Sequence, residues 1–266
     1  MIAAEMPGCY TRVMQIQIAA QLYTVREFTQ TAEQFARTLE KLKAIGYTAV
    51  QISAIGPIDP AEVARLLTDN GLACCATHVS LDRIKKEPQK LIDELRSWNC
   101  RFTAVGGFFP DHPTLEDWHR FAHELNQASA AFTGSGIRLG YHNHSHELAK
   151  FGQTTALDLL VDQLDPAIFF EIDTYWITHG GGDPAAWIAK LPGRVPAVHL
   201  KDMGIRYPRE QIMMEVGEGN LNWPAILSAC QSAGVQWHII EQDICHRDPF
   251  DSLAISLKNL KQMTKS

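Results

Sequence analysis

Cysteine is scarce and poorly spaced for metal binding: the chain has six in 266 residues, at Cys9, Cys74, Cys75, Cys100, Cys230 and Cys245, with no pair at the CxxC interval of a zinc or redox motif. Cys74 and Cys75 adjoin in a strand-like run, where successive side chains face opposite ways. Reduced, buried thiols acting as small hydrophobes are therefore expected. Positive charge is also short. A formal net charge of -6 argues against a partner bound by neutralising nucleic-acid phosphates. No apolar run approaches the roughly 18 residues that cross a bilayer, and Met1 to Gln15 lack the continuous apolar core of a signal peptide. The expectation is a cytoplasmic chain with neither nucleic acid nor membrane as partner. Low-complexity linkers are missing too, which leaves one domain over residues 1–266, with 1–14 as an N-terminal extension.

What is present is an alternation of short β-like runs with amphipathic segments. Strands are predicted at Ile16 to Tyr23, Ala49 to Ser53, Ala73 to His78, Phe102 to Val105, Ile137 to Tyr141, Ile168 to Ile172, Ala197 to Leu200 and Trp237 to Ile240. Helices are predicted at Thr31 to Ala44, Ala61 to Thr68, Pro88 to Trp98, Leu115 to Phe132, Thr155 to Gln163, Pro184 to Lys190, Trp223 to Ala233 and Pro249 to Met263. Asp59-Pro60, Asp183-Pro184 and Asp248-Pro249 are helix starts, with Asp as N-cap and Pro at the first helical position. Gly46, Gly193 and Gly234 are stops. Eight strand–helix units point to an α/β fold, a (β/α)8 TIM barrel, rather than an open doubly wound sheet. The strand positions facing inward are expected to be Val, Ile, Leu, Phe and Ala.

In such a barrel the working residues stand at the C-terminal ends of the strands. The fifth predicted strand runs into Tyr141-His142-Asn143-His144-Ser145-His146-Glu147, three histidines and a carboxylate in seven residues. The next three end in Glu171-Ile172-Asp173, His199-Leu200-Lys201-Asp202 and Glu241-Gln242-Asp243. Glu147, Asp173, His199 and Glu241 thus offer three carboxylates and an imidazole from four successive strand ends. Without a cation these carboxylates would repel one another and resist burial. One divalent ion, Mn²⁺, Mg²⁺, Co²⁺ or Zn²⁺, suits this donor set. Taken singly, each residue also has a purely structural explanation: a turn cap for Asp173, a core histidine for His199, a solvated loop for Glu147.

Several runs resemble the sugar phosphate isomerase/epimerase family, whose members have the xylose isomerase-like barrel. They are Gln21-Leu22-Tyr23-Thr24-Val25-Arg26, Tyr141-His142-Asn143-His144 with Glu147, Asp173 with Trp176, Gly193-Arg194-Val195 leading to His199-Leu200-Lys201-Asp202, Gly217-Glu218-Gly219 with Trp223, and Glu241-Gln242-Asp243. The resemblance spans about Gln15 to Leu260. It implies a metal-dependent enzyme related to ketose 3-epimerases, inosose dehydratases, dehydroshikimate dehydratases or enzymes of 3-keto sugars. Family members usually hold the metal with Glu, Asp, His and Glu, of which Asp173, His199 and Glu241 match directly. The position directly after strand five, where many carry the first Glu, is His142, and Glu147 looks like the replacement; the alternatives are that His142 ligates the metal itself or acts with His144 as acid and base. In epimerase-like members both metal-bound glutamates also move the proton, so this departure bears on the reaction.

The chemistry such a site supports is proton abstraction next to a carbonyl, with the enediolate stabilised by the cation. The leading expectation is an isomerase or epimerase of a keto sugar or cyclitol, with Glu147, Glu241, Lys201 and above all His144 moving protons. His78, His142, Trp176, Lys201 and Glu218 are expected to contact substrate. Glu218 would act from the long loop between Met203 and Leu221, which is placed to cover the mouth. For Lys201 the bland alternative is an ion pair with Asp202. His112, His119, His123, His238 and His246 are expected at the surface. Three other functions stay open: a lyase that dehydrates the substrate or cleaves a 3-keto glycoside, a zinc nuclease of abasic DNA, and a sugar-binding barrel without turnover. The nuclease would need ligands on strands two and three, where Gln51 and His78 stand. A homo-oligomer is compatible with a barrel of this size, though no patch identifies an interface.

Overall fold

The computed structural model describes residues 16–265, so the expected 1–14 extension and Cys9 lie outside the described residues. Twelve strands are present among them: β1 (Gln17–Gln21), β2 (Ala49–Ile52), β3 (Ala73–Val79), β4 (Phe102–Val105), β5 (Arg138–His142), β6 (Lys150–Phe151), β7 (Thr154–Thr155), β8 (Phe169–Asp173), β9 (Ala197–Leu200), β10 (Asp202–Arg206), β11 (Glu210–Met214) and β12 (Trp237–Ile240). Eight of these close into a parallel barrel in the order β1-β12-β9-β8-β5-β4-β3-β2, while β6–β7 and β10–β11 are separate hairpins. The helices are α1 (Ala32–Ile45), α2 (Pro60–Asp69), α3 (Leu81–Lys86), α4 (Pro88–Ser97), α5 (Leu115–Ser129), α6 (Ala156–Gln163), α7 (Thr174–His179), α8 (Pro184–Ala189), α9 (Trp223–Ala233) and α10 (Pro249–Met263).

Helix boundaries follow the sequence signals. Asp59, Asp183 and Asp248 each accept a backbone N–H two residues on, at 2.8 to 2.9 Å, satisfying donors that the first turn leaves free. Gly46 and Gly234 end α1 and α9 at φ of +109° and +76°, a conformation that costs glycine nothing. β1 stops at Gln21 instead of the expected Tyr23, because Gln21 caps a short 3-10 turn (Leu22–Phe28) through its side-chain oxygen. It also passed over α3 and α7, each six residues long and too short to show a periodic stripe.

Two apolar layers flank the sheet. The outer one, between strands and helices, holds most of the Leu, Ile and Val residues. The inside of the barrel is different: Ala19, Ala49, Ala76, Ala104 and Ala197 surround Phe102, Phe169 and Ile239. Of the Val, Ile, Leu, Phe and Ala expected to face inward, alanine dominates, because two phenylalanine rings fill the centre. Gly140 in β5 belongs to the same solution, since a Cβ there would collide with the Phe169 ring. This plug fills the lower barrel.

Candidate functional site

Above the alanine layer the barrel turns polar. On β8, Glu171 and Asp173 are two residues apart and share one face, as do His199 and Lys201 at the end of β9. Register stacks these rows: Asp173 pairs with His199, Glu171 with Ala197, and His142 with Glu171. His142, Glu171, Asp173, His199, Lys201 and Glu241 are all buried.

The lower row is a closed network. Glu171 accepts Gln51 Nε2 at 2.9 and 3.1 Å and faces His78 Nε2 at 2.5 Å. Because the Gln51 amide nitrogen is spent on Glu171, its oxygen faces His199 Nε2, at 2.6 Å. His199 Nε2 therefore carries a proton, which leaves Nδ1 directed to the upper row. Burial raises the cost of the Glu171 charge, yet His199 and His78 hold its carboxyl well below the usual range.

The upper row is open-ended. His199 Nδ1 lies 2.6 Å from Glu241 Oε2 and 3.8 Å from Asp173 Oδ2, and His142 Nε2 is 3.9 Å from Asp173 Oδ2. Asp173 Oδ2, His199 Nδ1 and Glu241 Oε2 are buried atoms without a hydrogen-bond partner. Burial would lower the His199 pKa, but Glu171 and Glu241 raise it to about 10. With no metal bound, its imidazolium is thus one cation these acids hold. Lys201 is the other. Its ammonium is 2.8 Å from Glu241, 3.1 Å from Asp173 and 3.0 Å from Asp243.

Two sets of donors among the described residues gather closely enough to hold an ion: His78, His142, Glu171 and His199, and His142, Asp173, His199 and Glu241. In the first, Glu171 and His78 already satisfy each other. In the second, three buried donor atoms lack a hydrogen bond and are held only by ion pairs with one another and with Lys201, so the second set fits a divalent cation better. Two imidazoles and two carboxylates suit Zn²⁺, Mn²⁺ or Co²⁺ better than Mg²⁺.

The sequence-predicted residues divide accordingly. Asp173, His199 and Glu241 come together, and His142 joins them. Glu147 does not: its carboxylate accepts Tyr141 Oη–H at 2.6 Å and the His144 backbone N–H at 2.9 Å. It is wholly buried beneath the loop, and both oxygens are spent on bracing the turn after β5. Glu218 is also not brought in; it faces Asn259 at 3.0 Å, and the long loop reaches the cavity through Met213 instead. His78, His142, His144, Trp176, Lys201 and Glu241 all line one cavity of about 660 Å³. Lys201 turns away from Asp202, because alternation at the strand end sends Asp202 outward. There Asp202 accepts the backbone N–H groups of Met203, Gly217, Gly219 and Leu221 and the Trp223 indole N–H. His238 is not at the surface: it lies buried in β12, and burial lowers its pKa to about 4.

Sequence reasoning missed Gln51, Glu171 and Asp243 as participants. Glu171 was legible from its two-residue spacing to Asp173. Gln51 carried no signal beyond its place at a strand end. Asp243 lines the cavity, and burial and Glu241 raise its carboxyl to about 6. His144 is held down to about 3, chiefly by burial, so it is a neutral imidazole whose buried Nδ1 has no partner.

Residues 39–263 match the xylose isomerase-like TIM barrel family, and the chain belongs to that family. Among curated proteins it is similar to an inosose dehydratase from Geobacillus kaustophilus, 23% identical over 193 residues, which cover 63% of this chain and 61% of that protein. The match thus spans less than two thirds of that relative. Among solved structures, a sugar phosphate isomerase/epimerase from Parabacteroides distasonis superposes with a TM-score of 0.79 at 20% identity over the whole of both chains. The IolI protein, solved with a zinc atom bound, gives 0.74 at 11% identity, covering 94% of this chain and 98% of the other. At these identities the two structures establish the fold alone. No helix among the described residues is long and apolar enough to cross a membrane.

Proposed function

We propose that this chain is a metal-dependent enzyme that removes the proton next to the carbonyl of a keto sugar or cyclitol, and that the enediolate then loses a β-hydroxyl as water. The observation that carries the metal-dependent reading is the set of buried atoms without a hydrogen bond at and behind the cavity wall, Asp173 Oδ2, His199 Nδ1 and Glu241 Oε2. With His142 they would hold a divalent cation, which would polarise the carbonyl and stabilise charge building on its oxygen. Glu241 is ionised, because Lys201 and His199 outweigh the cost of its burial.

His144 is the base we assign. Its Nδ1 is free, and its ring lies 5.3 Å from that of Trp176. Lys201 is near the same indole, its ammonium 5.6 Å from the ring centre. Base and proton donor thus both border Trp176 in one cavity, an arrangement suited to taking a proton from one carbon and giving one to the oxygen that leaves the next. Trp176 would pack against the sugar between them. Elimination is supported further by the inosose dehydratase relative.

Epimerisation is the second reading, and His78 favours it. Inversion needs proton-transfer groups on opposite faces of the substrate, and β3 lies four strands from β9 in either direction round the barrel. The two outcomes separate in D₂O. With a keto cyclitol and Mn²⁺, elimination predicts solvent deuterium uptake together with a conjugated enone absorbing in the ultraviolet; a deuterated epimer of unchanged skeleton would establish the second reading. Absence of exchange with every keto sugar and metal tried would end both.

A further inference from the structure

His144 stands in an irregular stretch of the site. β5 ends at His142, so His144 lies two residues past the strand, whereas Asp173 and His199 are strand residues in register with each other. A catalytic group misplaced by about 1 Å loses on the order of a hundredfold in rate. Something other than a sheet must therefore hold this one.

Buried side chains grip its main chain from both ends. Glu147 Oε2 accepts the His144 N–H at 2.9 Å, while Oε1 accepts the Tyr141 hydroxyl at 2.6 Å. At the other end Asn143 Nδ2 donates to the His144 carbonyl at 3.1 Å, and Asn143 Oδ1 accepts the Asp173 N–H, also at 3.1 Å. Both partners of this carboxamide are backbone groups, one only a donor and the other only an acceptor, so its orientation is fixed. Tyr141, Asn143 and Glu147 are at most 1% exposed. Asp173 is a firm anchor: it ends β8, and its Oδ1 caps α7 through the Trp176 N–H at 2.9 Å. The His144 ring is walled in by Phe109, 4.8 Å between centres, and by Trp176, 5.3 Å away. A buried carboxylate and a buried carboxamide are costly braces for a loop whose position does not matter.

We infer that Asn143 is a positioning residue: it ties the main chain of His144 to that of Asp173, with Glu147 as the opposing jaw, and so sets the distance between the base and the cation position. The inference rests on the assignment of His144 as base and names what keeps that base in place. Asn143 lies outside the cavity lining and acts through His144. Its carboxamide is the shortest link between the loop after β5 and the strand that carries Asp173, so a change in one arm of it moves the base while β8 stays where it is.

Two variants cut the tether differently. Asn143→Asp keeps the oxygen that accepts from Asp173 and sets a second oxygen against the His144 carbonyl, so only the arm to the base is lost. Asn143→Ala loses both arms; should it fail to fold, Asn143→Asp, equal in size, carries the test. Solvent deuterium exchange into a keto cyclitol by the Mn²⁺-loaded full chain is expected to slow about a hundredfold in kcat in either variant, with KM and Mn²⁺ affinity within a few fold of native. Placed in a His144→Ala background, the same changes should cost almost nothing more, because residues that act as a unit are not additive. Glu147→Ala should also slow exchange, and Glu147→Gln should restore it, since the Tyr141 hydroxyl can accept from an amide as well as donate. A readout without turnover is the His144 Cε1–H proton resonance, which the Phe109 and Trp176 rings displace; in both Asn143 variants it should move towards its unstructured position. A resonance that stays in place in folded Asn143→Asp overturns the proposal, as does a loss carried by KM or metal affinity, or one that multiplies with the loss in His144→Ala. Native exchange in His144→Ala would instead remove the base assignment, and the resonance alone would then decide whether Asn143 holds the residue.

Discussion

The lower and upper halves of the barrel interior are equally buried and built on opposite terms. Below, Ala19, Ala49, Ala76, Ala104 and Ala197 close around Phe102 and Phe169, and no charged side chain belongs to that cluster. Above, Glu171, Asp173, His199, Lys201 and Glu241 crowd together with partners only in part. Burying charge costs several kcal/mol per ion unless compensated, so the upper half cannot be explained as packing. Stability resides in the floor, and the mouth is where we place ligand binding.

The largest effect should come from breaking the mouth alone. Asp173→Asn is expected to abolish binding of Mn²⁺ or Zn²⁺ measured by metal analysis after dialysis, while the metal-free melting temperature holds or rises, since one of several mutually repelling acids is gone. A fall in metal-free stability equal to that of a core deletion would mean that Asp173 is structural. The reciprocal change is Phe169→Ala. It should cost about 3–5 kcal/mol in denaturant titration and leave metal affinity within a few fold wherever the chain still folds. Loss of the metal in that variant would merge the two halves.

Between them stands His238, buried in the wall without being part of the site. Burial lowers its pKa to about 4, below the unfolded value of about 6.5. The unfolded chain therefore takes up a proton first. Its stabilising contribution is complete above pH 6.5 and is lost as pH falls towards 4, by about 3 kcal/mol in all. His238→Leu should flatten that part of the pH–stability curve; an unchanged slope between pH 6.5 and 4 would show that other groups set it.

The contrast between the halves was only half legible in the sequence. Strand ends announced themselves because polar residues interrupt apolar runs, and Asp173, His199 and Glu241 were readable on that ground. The floor was legible in kind but not in proportion: alternation tells which residues share a face but not which face of a closed barrel is narrow, so alanine stood only as one of five expected inward residue types. Glu147 was misassigned for a related reason. A carboxylate near histidines reads as a ligand, and only the path of the loop reveals that Tyr141 and the His144 amide use both its oxygens. His142 was readable as the residue directly after strand five, whereas its approach to Asp173 required the closed barrel.

The smallest effect probes how the lower row serves the upper. Gln51 donates to Glu171 and accepts from His199 Nε2, which fixes the imidazole so that Nδ1 faces the cation position. Replacing it by leucine keeps a similar volume but frees His199 to rotate or change tautomer. Partners of this kind typically contribute 10- to 100-fold in metal affinity, so Gln51→Leu should weaken Zn²⁺ binding by about that much, while Asp173→Asn removes it. Gln51→Glu is the sharper variant. It adds a second acid beside Glu171, and their repulsion disturbs the network even though a carboxylate still accepts from His199. If both variants bind zinc like the native chain, His199 is oriented by β9 itself, and the lower row belongs with the floor rather than with the site.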